Sequence, residues 1–286
     1  MKKRMIANRC RLYLNDDQMI SAIKTMGCCR YVFNLYLDVW STLYRLTGKG
    51  MSYNSCCNNM TELKKVLPWL KEAESTALQS SLRDLSDAFK AFFEKRAGYP
   101  VFHKKGSKES YTCRNNNNSI RIIDDHHVQL PKLGTVRVSG LRKLNGKILS
   151  AAVIKETTGN WYVSLQYEAE AAEEYPKTGS IIGMDLGIHD FLVLSDETRI
   201  GNPEYYAGYE KQLVKEQKKL SRMLNANISG YIERNGRRIP VFRKPLSECR
   251  NYQKQKKVIA KIHEKISNCR KDFEHKLSTE LIKNHL

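Results

Sequence analysis

The sequence lacks the cysteine spacings and long apolar runs that mark several large classes of protein. Its eight cysteines form no Cys-x-x-Cys pair, and vicinal pairs such as Cys28-Cys29 make poor metal clips. We therefore expect small buried thiols and no zinc site. No stretch reaches the roughly 18 apolar residues that span a bilayer, and the basic N-terminus lacks the apolar core of a secretory signal. A cytoplasmic protein without a membrane partner is expected.

Acidic side chains are also scarce, with 30 Asp and Glu against 49 Lys and Arg, which gives a formal net charge of +19. Charge of this size indicates the partner rather than the fold, and a polyanion such as nucleic acid is the natural partner. The alternatives are a basic surface that serves only solubility and an anionic membrane surface. A hydrophobic share of 41% is enough for a normal core and excludes general disorder.

The first part of the chain has the pattern of one strand followed by helices. Residues 3–13 alternate as a strand, and Asn15 followed by Gln18 indicates a capped helix start. Apolar residues at spacings of three and four continue that helix. A further helix is interrupted at Pro68, and another begins at Ser75.

From residue 119 to about 168 the hydrophobic period changes to alternation, which predicts antiparallel strands. The backbone of the lone strand at 3–13 needs partners, and the nearest candidates lie beyond the helices. Residues 1–14 and 119–172 are therefore predicted to form a small β-barrel, with a helical bundle of residues 15–118 inserted. Residues 168–178 are acidic and alanine-rich and are predicted to form a linker.

Residues 173–286 are predicted to form a second unit, which makes the whole chain α+β. Two short apolar strands surround a turn at Gly187, and two long helices cover about 204–225 and 251–284. A polar loop is expected between these helices, because the segment holds glycines and a proline.

Asp185 lies in the first of these strands, in the stretch 182–187 (Ile-Gly-Met-Asp-Leu-Gly). A carboxylate buried in an apolar strand needs a hydrogen bond, an ion pair or a metal. RNase H-like folds present their first ligand for Mg²⁺ or Mn²⁺ in this way. One alternative is a carboxylate that only caps the turn. The other is the phosphate hairpin of actin-like ATPases, which would need a second Asp-x-Gly hairpin.

Basic and aromatic side chains supply candidates for nucleic-acid binding. The basic run on the last helix could be a solvated face, but with so basic a chain we favour phosphate binding. Aromatics near residues 99–111 are interleaved with lysines and could stack on bases or belong to the core. The candidates are Arg30, Asn34, Gln79, Arg83, Lys90, Phe102, Lys104, Lys105, Tyr111, Asn117, Lys254, Lys257, Arg270 and Lys276.

An ordered set of stretches, including 10–15, 27–34, 98–102, 182–187 and 260–279, resembles the TnpB (OrfB) family of insertion sequences, which is related to type V CRISPR effectors. The resemblance covers nearly the whole chain. It implies a wedge-type β-barrel, an inserted helical recognition lobe and a RuvC/RNase H-like nuclease domain. It also implies a guide RNA made from the transposon end and double-stranded target DNA with a short flanking motif. Tyr53, Thr76 and Gln79 align with recognition of that motif, and Asp185 aligns with the first catalytic metal ligand.

In that family a strand with a catalytic glutamate, a zinc ribbon and a final aspartate follow the last helix, beyond residue 286 of this sequence. The RuvC-like domain is therefore expected to be incomplete, and Asp185 alone should not hold two ions. Cleavage that depends on Mg²⁺ or Mn²⁺ is expected only where those parts are supplied. The alternatives are a nuclease-dead, RNA-guided transcriptional repressor and an inactive truncated transposon remnant.

Overall fold

The protein is described by a computed structural model that covers residues 3–106, 109–142, 146–170 and 175–285. The chain divides into two compact units, Met1–Ala171 and Ala172–Leu286, and each is described by itself. The architecture is mixed α/β with one large antiparallel sheet. Among the helices that the structure describes, none is long and apolar enough to cross a membrane.

The first unit contains a seven-stranded antiparallel sheet. Its strands are β1 (Lys3–Tyr13), β2 (Ser110–Arg114), β3 (Arg121–Asp124), β4 (His127–Leu130), β5 (Gly134–Ser139), β6 (Gly146–Lys155) and β7 (Trp161–Glu170), in the order β2-β6-β7-β1-β5-β4-β3. The N-terminal strand β1 pairs with β7 on one side and β5 on the other, so its predicted partners beyond the helices are confirmed. Strand β2 joins the sheet earlier in the chain than the alternation from residue 119 indicated. Closure into a barrel stays a prediction.

The long strands β1 and β7 have one buried and one exposed face, as their alternation predicts, whereas all four residues of β3 are exposed. Cys10 and Leu12 of β1 are buried, whereas Arg9, Arg11 and Tyr13 point to the opposite face. In β7 the alternating residues from Trp161 to Tyr167 are buried in the same way.

Three α-helices separate β1 from β2: α1 (Asp16–Thr47), α2 (Tyr53–Val66) and α3 (Ser75–Phe93), with a short 3-10 helix at Pro68–Lys71. The predicted cap of α1 is present as a reciprocal pair. Asn15 Oδ1 accepts from the Gln18 amide at 2.8 Å, and Gln18 Oε1 accepts from the Asn15 amide at 3.1 Å. Helix α1 ends at Gly48, whose φ of 71° is left-handed.

Helices α1 and α3 pack with the buried face of the sheet in one hydrophobic core. The Trp40 and Phe89 rings stack with centroids 3.7 Å apart, and the Ser81 hydroxyl donates to the Cys29 carbonyl across the helix pair at 2.8 Å. All eight cysteines are free, and five of them are buried, which confirms that they serve as small hydrophobic residues. Burial raises the pKa of the Cys10 and Cys56 thiols to about 11.

The second unit begins with a three-stranded antiparallel sheet of β8 (Met184–Asp185), β9 (Asp190–Leu194) and β10 (Arg199–Gly201), in the order β10-β9-β8. Helix α4 (Tyr205–Ala226), strands β11 (Ile228–Arg234) and β12 (Arg237–Phe242), and helix α5 (Arg250–Asn284) follow. The long helices pack through Leu213, Ile262 and Ile266. Their predicted bounds are correct to within one residue.

The prediction of a polar loop between α4 and α5 is wrong, because β11 and β12 form an antiparallel hairpin there. Its two-residue turn is Asn235-Gly236, and both residues have positive φ, 53° and 68°. Asn-Gly in this conformation matches the right-handed twist of two paired strands. The dipeptide was the sequence signal that could have identified the hairpin.

Candidate nucleic-acid interface and catalytic carboxylate

Four of the candidate binding residues, Tyr53, Thr76, Gln79 and Arg83, lie on α2 and α3. The guanidinium of Arg83 lies 3.7 Å from the centre of the Tyr53 ring, in a cation–π contact. Residues 76, 79 and 83 are three and four apart, so they share one face of α3. The structure therefore brings this predicted set together. Burial, with a hydrogen bond to the Cys57 thiol, raises the pKa of Tyr53, so its hydroxyl stays neutral near pH 7.

Within this set the four side chains differ in accessibility. Thr76 is buried, donates its hydroxyl proton to the Glu74 carboxylate and accepts a hydrogen bond from the Arg114 amide at 2.9 Å. Its hydroxyl thus ties the start of α3 to the end of β2. Tyr53, Gln79 and Arg83 are half-buried. They are therefore better placed than Thr76 to contact a ligand.

The basic and aromatic loop 98–106 is held against α1 by Asn34. The Asn34 amide donates to the His103 carbonyl at 2.9 Å and accepts from the His103 amide at 2.8 Å. The His103 ring stacks on Phe33 with centroids 3.9 Å apart. This arrangement leaves Phe102 exposed, together with Lys104 and Lys105. Asn34 therefore has a structural role that the sequence did not reveal, since its partner lies 69 residues away.

The remaining candidates of the first unit differ in exposure. Tyr111 is only 5% exposed, so it belongs to the core rather than to a stacking surface. Desolvation raises its pKa far above the ordinary range of a tyrosine. Arg30 is half-buried on α1, and Lys90 is exposed on α3, 4.0 Å from Glu94. Asn117 is exposed in the turn after β2, with a positive φ of 52°.

A row of alternating arginine and tyrosine side chains on the exposed face of the large sheet was not among the candidates. Arg9 and Arg11 lie 4.4 and 5.2 Å from the centre of the Tyr162 ring, and Arg137 lies 5.3 Å from that of Tyr13. Arg11 also donates to the Asn160 side chain at 2.6 Å. The Arg-x-Arg-x-Tyr alternation of β1 was the available signal, but only strand pairing shows that β5 and β7 complete the row.

The four candidates on α5, Lys254, Lys257, Arg270 and Lys276, are all exposed. They belong to the second unit and are described apart from the candidates of the first. Lys276 donates to Asp272 at 2.7 Å, and this hydrogen bond raises the pKa of Lys276. One side of α5 buries Gln255, Ile262 and Ile266 against α4. The four side chains do not share one face of α5: Lys257 points away from the packed side, whereas Arg270, four residues after Ile266, lies beside it.

Asp185 lies on β8, opposite Val193 of β9, and its side chain is exposed. The expectation of a carboxylate buried in an apolar strand is therefore wrong. The physical reason is that, among the strands that the structure describes, β8 pairs with β9 alone and forms the edge of its sheet. The apolar side chains near it are exposed as well: Met184 by 61%, Leu186 by 73% and Ile188 by 93%. Gly187 is required at the turn, because a Cβ there would lie 2.6 Å from the Asp190 carbonyl oxygen.

The nearby carboxylates are engaged within their own turns. Asp190 lies 3.4 Å from both Arg199 and His189, and Asp196 accepts from the Thr198 amide at 3.0 Å, which lowers the pKa of Asp196. Among the residues that the structure describes, no group of three or more His, Cys, Asp or Glu side chains could hold a metal ion. The residues present therefore do not fit a two-ion centre.

The fold and these side chains define a class: strongly basic, two-unit α/β proteins in which helices follow the first strand of a large antiparallel sheet. The fold is similar to that of the protein in the "Cryo-EM structure of the Cas12f1-sgRNA-target DNA complex". The TM-score is 0.57 at 11% identity, over 94% of this chain and 63% of that one.

Sequence comparison identifies the family. The OrfB_IS605 model, "Probable transposase", matches residues 164–286, and the HTH_OrfB_IS605 model, "Helix-turn-helix domain", matches residues 1–49. Over the latter range the structure has β1 and the single long helix α1. The chain belongs to the TnpB (OrfB) family.

Two curated relatives match nearly the whole chain. "Putative RNA-guided DNA endonuclease InsQ" of Escherichia coli (strain K12) is 29% identical over 99% of this chain and 65% of its own length. "Putative RNA-guided DNA endonuclease" of Streptomyces pristinaespiralis is 28% identical over 96% of this chain and 63% of its own length. The chain thus spans slightly less than two thirds of these relatives.

Proposed function

We propose that this chain is the nucleic-acid-binding part of an RNA-guided DNA endonuclease, and that it contributes Asp185 to the catalytic centre. One observation carries the proposal: a net charge of +19, in a family whose curated relatives are described as RNA-guided DNA endonucleases. An excess of Lys and Arg side chains favours binding to a polyanion. The phosphates that they neutralise release bound counterions, and this release stabilises the complex.

We assign the parts of the chain as follows. The large sheet, with residues 1–14 and 119–172, is the wedge-type barrel, and residues 15–118 form the helical recognition lobe. Residues 173–286 are the first part of a RuvC-like domain. A guide RNA from the transposon end and double-stranded target DNA are the partners, with sequence read by base pairing and a short flanking motif read by the protein.

The face of α3 with Gln79 and Arg83 is the proposed site for the flanking motif. An amide and a guanidinium are the side chains that read base edges through paired hydrogen bonds. Tyr53 supports this use, since the centre of its ring lies 3.7 Å from the Arg83 guanidinium and restricts the positions that this group can take. The exposed Phe102, Lys104 and Lys105 are proposed to contact backbone and bases beside it.

Asp185 is proposed as the first carboxylate of the nuclease centre. Its exposure, and the open edge of β8 with apolar side chains around it, suit a strand that joins the sheet at this edge. Mg²⁺ or Mn²⁺ is proposed to bind only where further carboxylates join Asp185, because hard oxygen ligands in sufficient number are what these ions require.

A second candidate function is guide-dependent DNA binding without cleavage, as in a transcriptional repressor. The observation that favours it for these 286 residues is that no metal-binding group of three side chains occurs in the described parts of the chain.

Purification of the chain with its bound RNA, followed by RNA sequencing, tests the proposal. We expect one RNA species that directs binding to matching duplex DNA beside a fixed flanking motif. The Gln79→Ala and Arg83→Ala variants should lose the preference for that motif, whereas Lys24→Ala, which removes only a surface pair with Glu72, should keep it. A chain that purifies with random RNA, or binds DNA without regard to RNA sequence, would contradict the proposal.

Cleavage separates the two candidate functions when the chain is supplied with a segment that carries further carboxylates, because Asp185 alone does not make a two-ion centre. Guided nicking that needs Mg²⁺ and is lost in Asp185→Ala, but kept in Asp196→Ala, supports the endonuclease. Guided binding without nicking in the supplemented protein supports the repressor.

A further inference from the structure

The hairpin of β11 and β12 is a two-stranded ribbon that has no role in the proposed function. None of its residues is buried, and its exposed apolar side chains include Tyr231, Ile232 and Ile239. At roughly 3.3 Å per residue, its strands extend about 20 Å. A free two-stranded hairpin is at best marginally stable in water, so an exposed ribbon of this kind points to a surface that a partner covers.

The base of the ribbon is held firmly. Asn227 at the end of α4 donates its side-chain amide to the Lys244 carbonyl at 2.7 Å and accepts from the Lys244 amide at 3.2 Å. The Arg243 amide donates to the Asn227 carbonyl at 2.8 Å. These three bonds fix the direction in which the ribbon leaves the helix pair.

The tip of the ribbon carries arginines on both faces. Arg234 pairs with Arg237 across the turn, on the same face as the Ile232 and Ile239 pair. Arg238 lies on the opposite face, with its guanidinium 4.2 Å from the centre of the Tyr231 ring. No ion pair involves these three arginines within the described residues. Two guanidinium groups directly opposite each other repel, so the tip is arranged for an external anion.

We propose that this ribbon inserts into the major groove of double-stranded DNA, an inference that rests on the proposed function. The B-form major groove is about 12 Å wide and about 8.5 Å deep and admits a two-stranded ribbon. Phosphates line both of its walls, which matches the Arg234 and Arg237 pair on one face of the tip and Arg238, opposite Glu233, on the other. Ile232 and Ile239 would meet the apolar edges of the bases, such as thymine methyl groups. A-form duplexes do not fit, because their major groove is deep and narrow.

The test uses the whole 286-residue chain, a 30-base-pair DNA duplex and an RNA duplex of the same sequence. The variant is Arg234→Ala/Arg237→Ala/Arg238→Ala. The matched control is Lys24→Ala/Lys65→Ala/Arg96→Ala, which removes the same charge from three side chains that pair with glutamates in the first unit. Amide hydrogen exchange in β11 and β12 verifies that the ribbon stays formed in the variant. If the ribbon is lost, a second variant with Arg→Lys at the three positions keeps the charge.

We expect the hairpin variant to bind DNA about tenfold more weakly than the control, and the slope of log K against log salt to fall by about 2 to 3. The Arg→Lys variant should regain most of the affinity, and RNA binding should change no more than in the control. The inference is overturned if the hairpin variant and the control bind DNA alike, or if DNA and RNA binding weaken equally. A parent chain that binds no nucleic acid would overturn the proposed function as well.

Discussion

Asn34 should hold the loop 98–106 in place, and Asn34→Ala tests this directly. The substitution removes both hydrogen bonds to the His103 backbone, one given at 2.9 Å and one received at 2.8 Å. Each such bond contributes about 0.5–1.5 kcal/mol net. His103 is half-buried, so water replaces part of the loss. We therefore expect the first unit to lose about 2 kcal/mol of unfolding free energy.

Asn34→Asp is the matched control. A carboxylate still accepts from the His103 amide but cannot donate to the His103 carbonyl. Asn34→Asp should therefore lose about half of the unfolding free energy that Asn34→Ala loses. Urea unfolding gives the free energies, and hydrogen exchange of the His103 amide reports the local bond. Exchange should accelerate strongly in Asn34→Ala and only slightly in Asn34→Asp.

The functional consequence follows from the exposed side chains of the same loop. If Phe102, Lys104 and Lys105 contact nucleic acid, a released loop must be ordered again on binding, and affinity falls. The reasoning is refuted if Asn34→Ala changes stability by less than about 0.5 kcal/mol and leaves the exchange of the His103 amide unchanged.

Three further outcomes are expected. Gly50→Ala should destabilise the first unit by about 1–3 kcal/mol in thermal unfolding, since its Cβ would lie 2.0 Å from Trp40 Cε2; an unchanged Tm would contradict this packing. Asp185→Ala should change stability by less than about 0.5 kcal/mol because the carboxylate is exposed, and a larger loss in urea unfolding would show a structural role. Cys10 and Cys56 have pKa values raised by burial from 9.0 to about 11, so their contribution to stability is complete below about pH 9 and is lost as pH rises to about 11. Unfolding free energies across that pH window, with alkylation by iodoacetamide at pH 8, check this, and rapid native alkylation of either thiol would oppose it.

Local features could be predicted from the sequence wherever the cause lies within a few residues. The capping box of Asn15 and Gln18 and the left-handed Gly48 set the bounds of α1, and both act through neighbouring backbone groups. The bounds of α4 and α5 were predicted for the same reason, from uninterrupted helical periodicity. The hairpin at Asn235-Gly236 was missed although its turn signal is local, because polar residues around it favoured a loop.

Features that depend on distant partners could not be predicted in this way. The Asn34 clamp joins residues 69 apart, and the burial of Tyr111 depends on packing of the sheet against the helices. The exposure of Asp185 depends on which strands flank β8, and an apolar pattern is the same whether one or both edges are paired.

The sequence by itself determined the helices, the alternation of the strands, the charge that calls for a polyanion and the motifs of the TnpB family. Only the tertiary structure decided which side chains are presented to a partner. It turned Asn34 and Thr76 toward backbone groups, brought Arg83 onto Tyr53 and left Asp185 at an open strand edge. The physical reason is that propensity and capping act along the chain, whereas exposure and hydrogen-bond pairing depend on elements that meet only after folding.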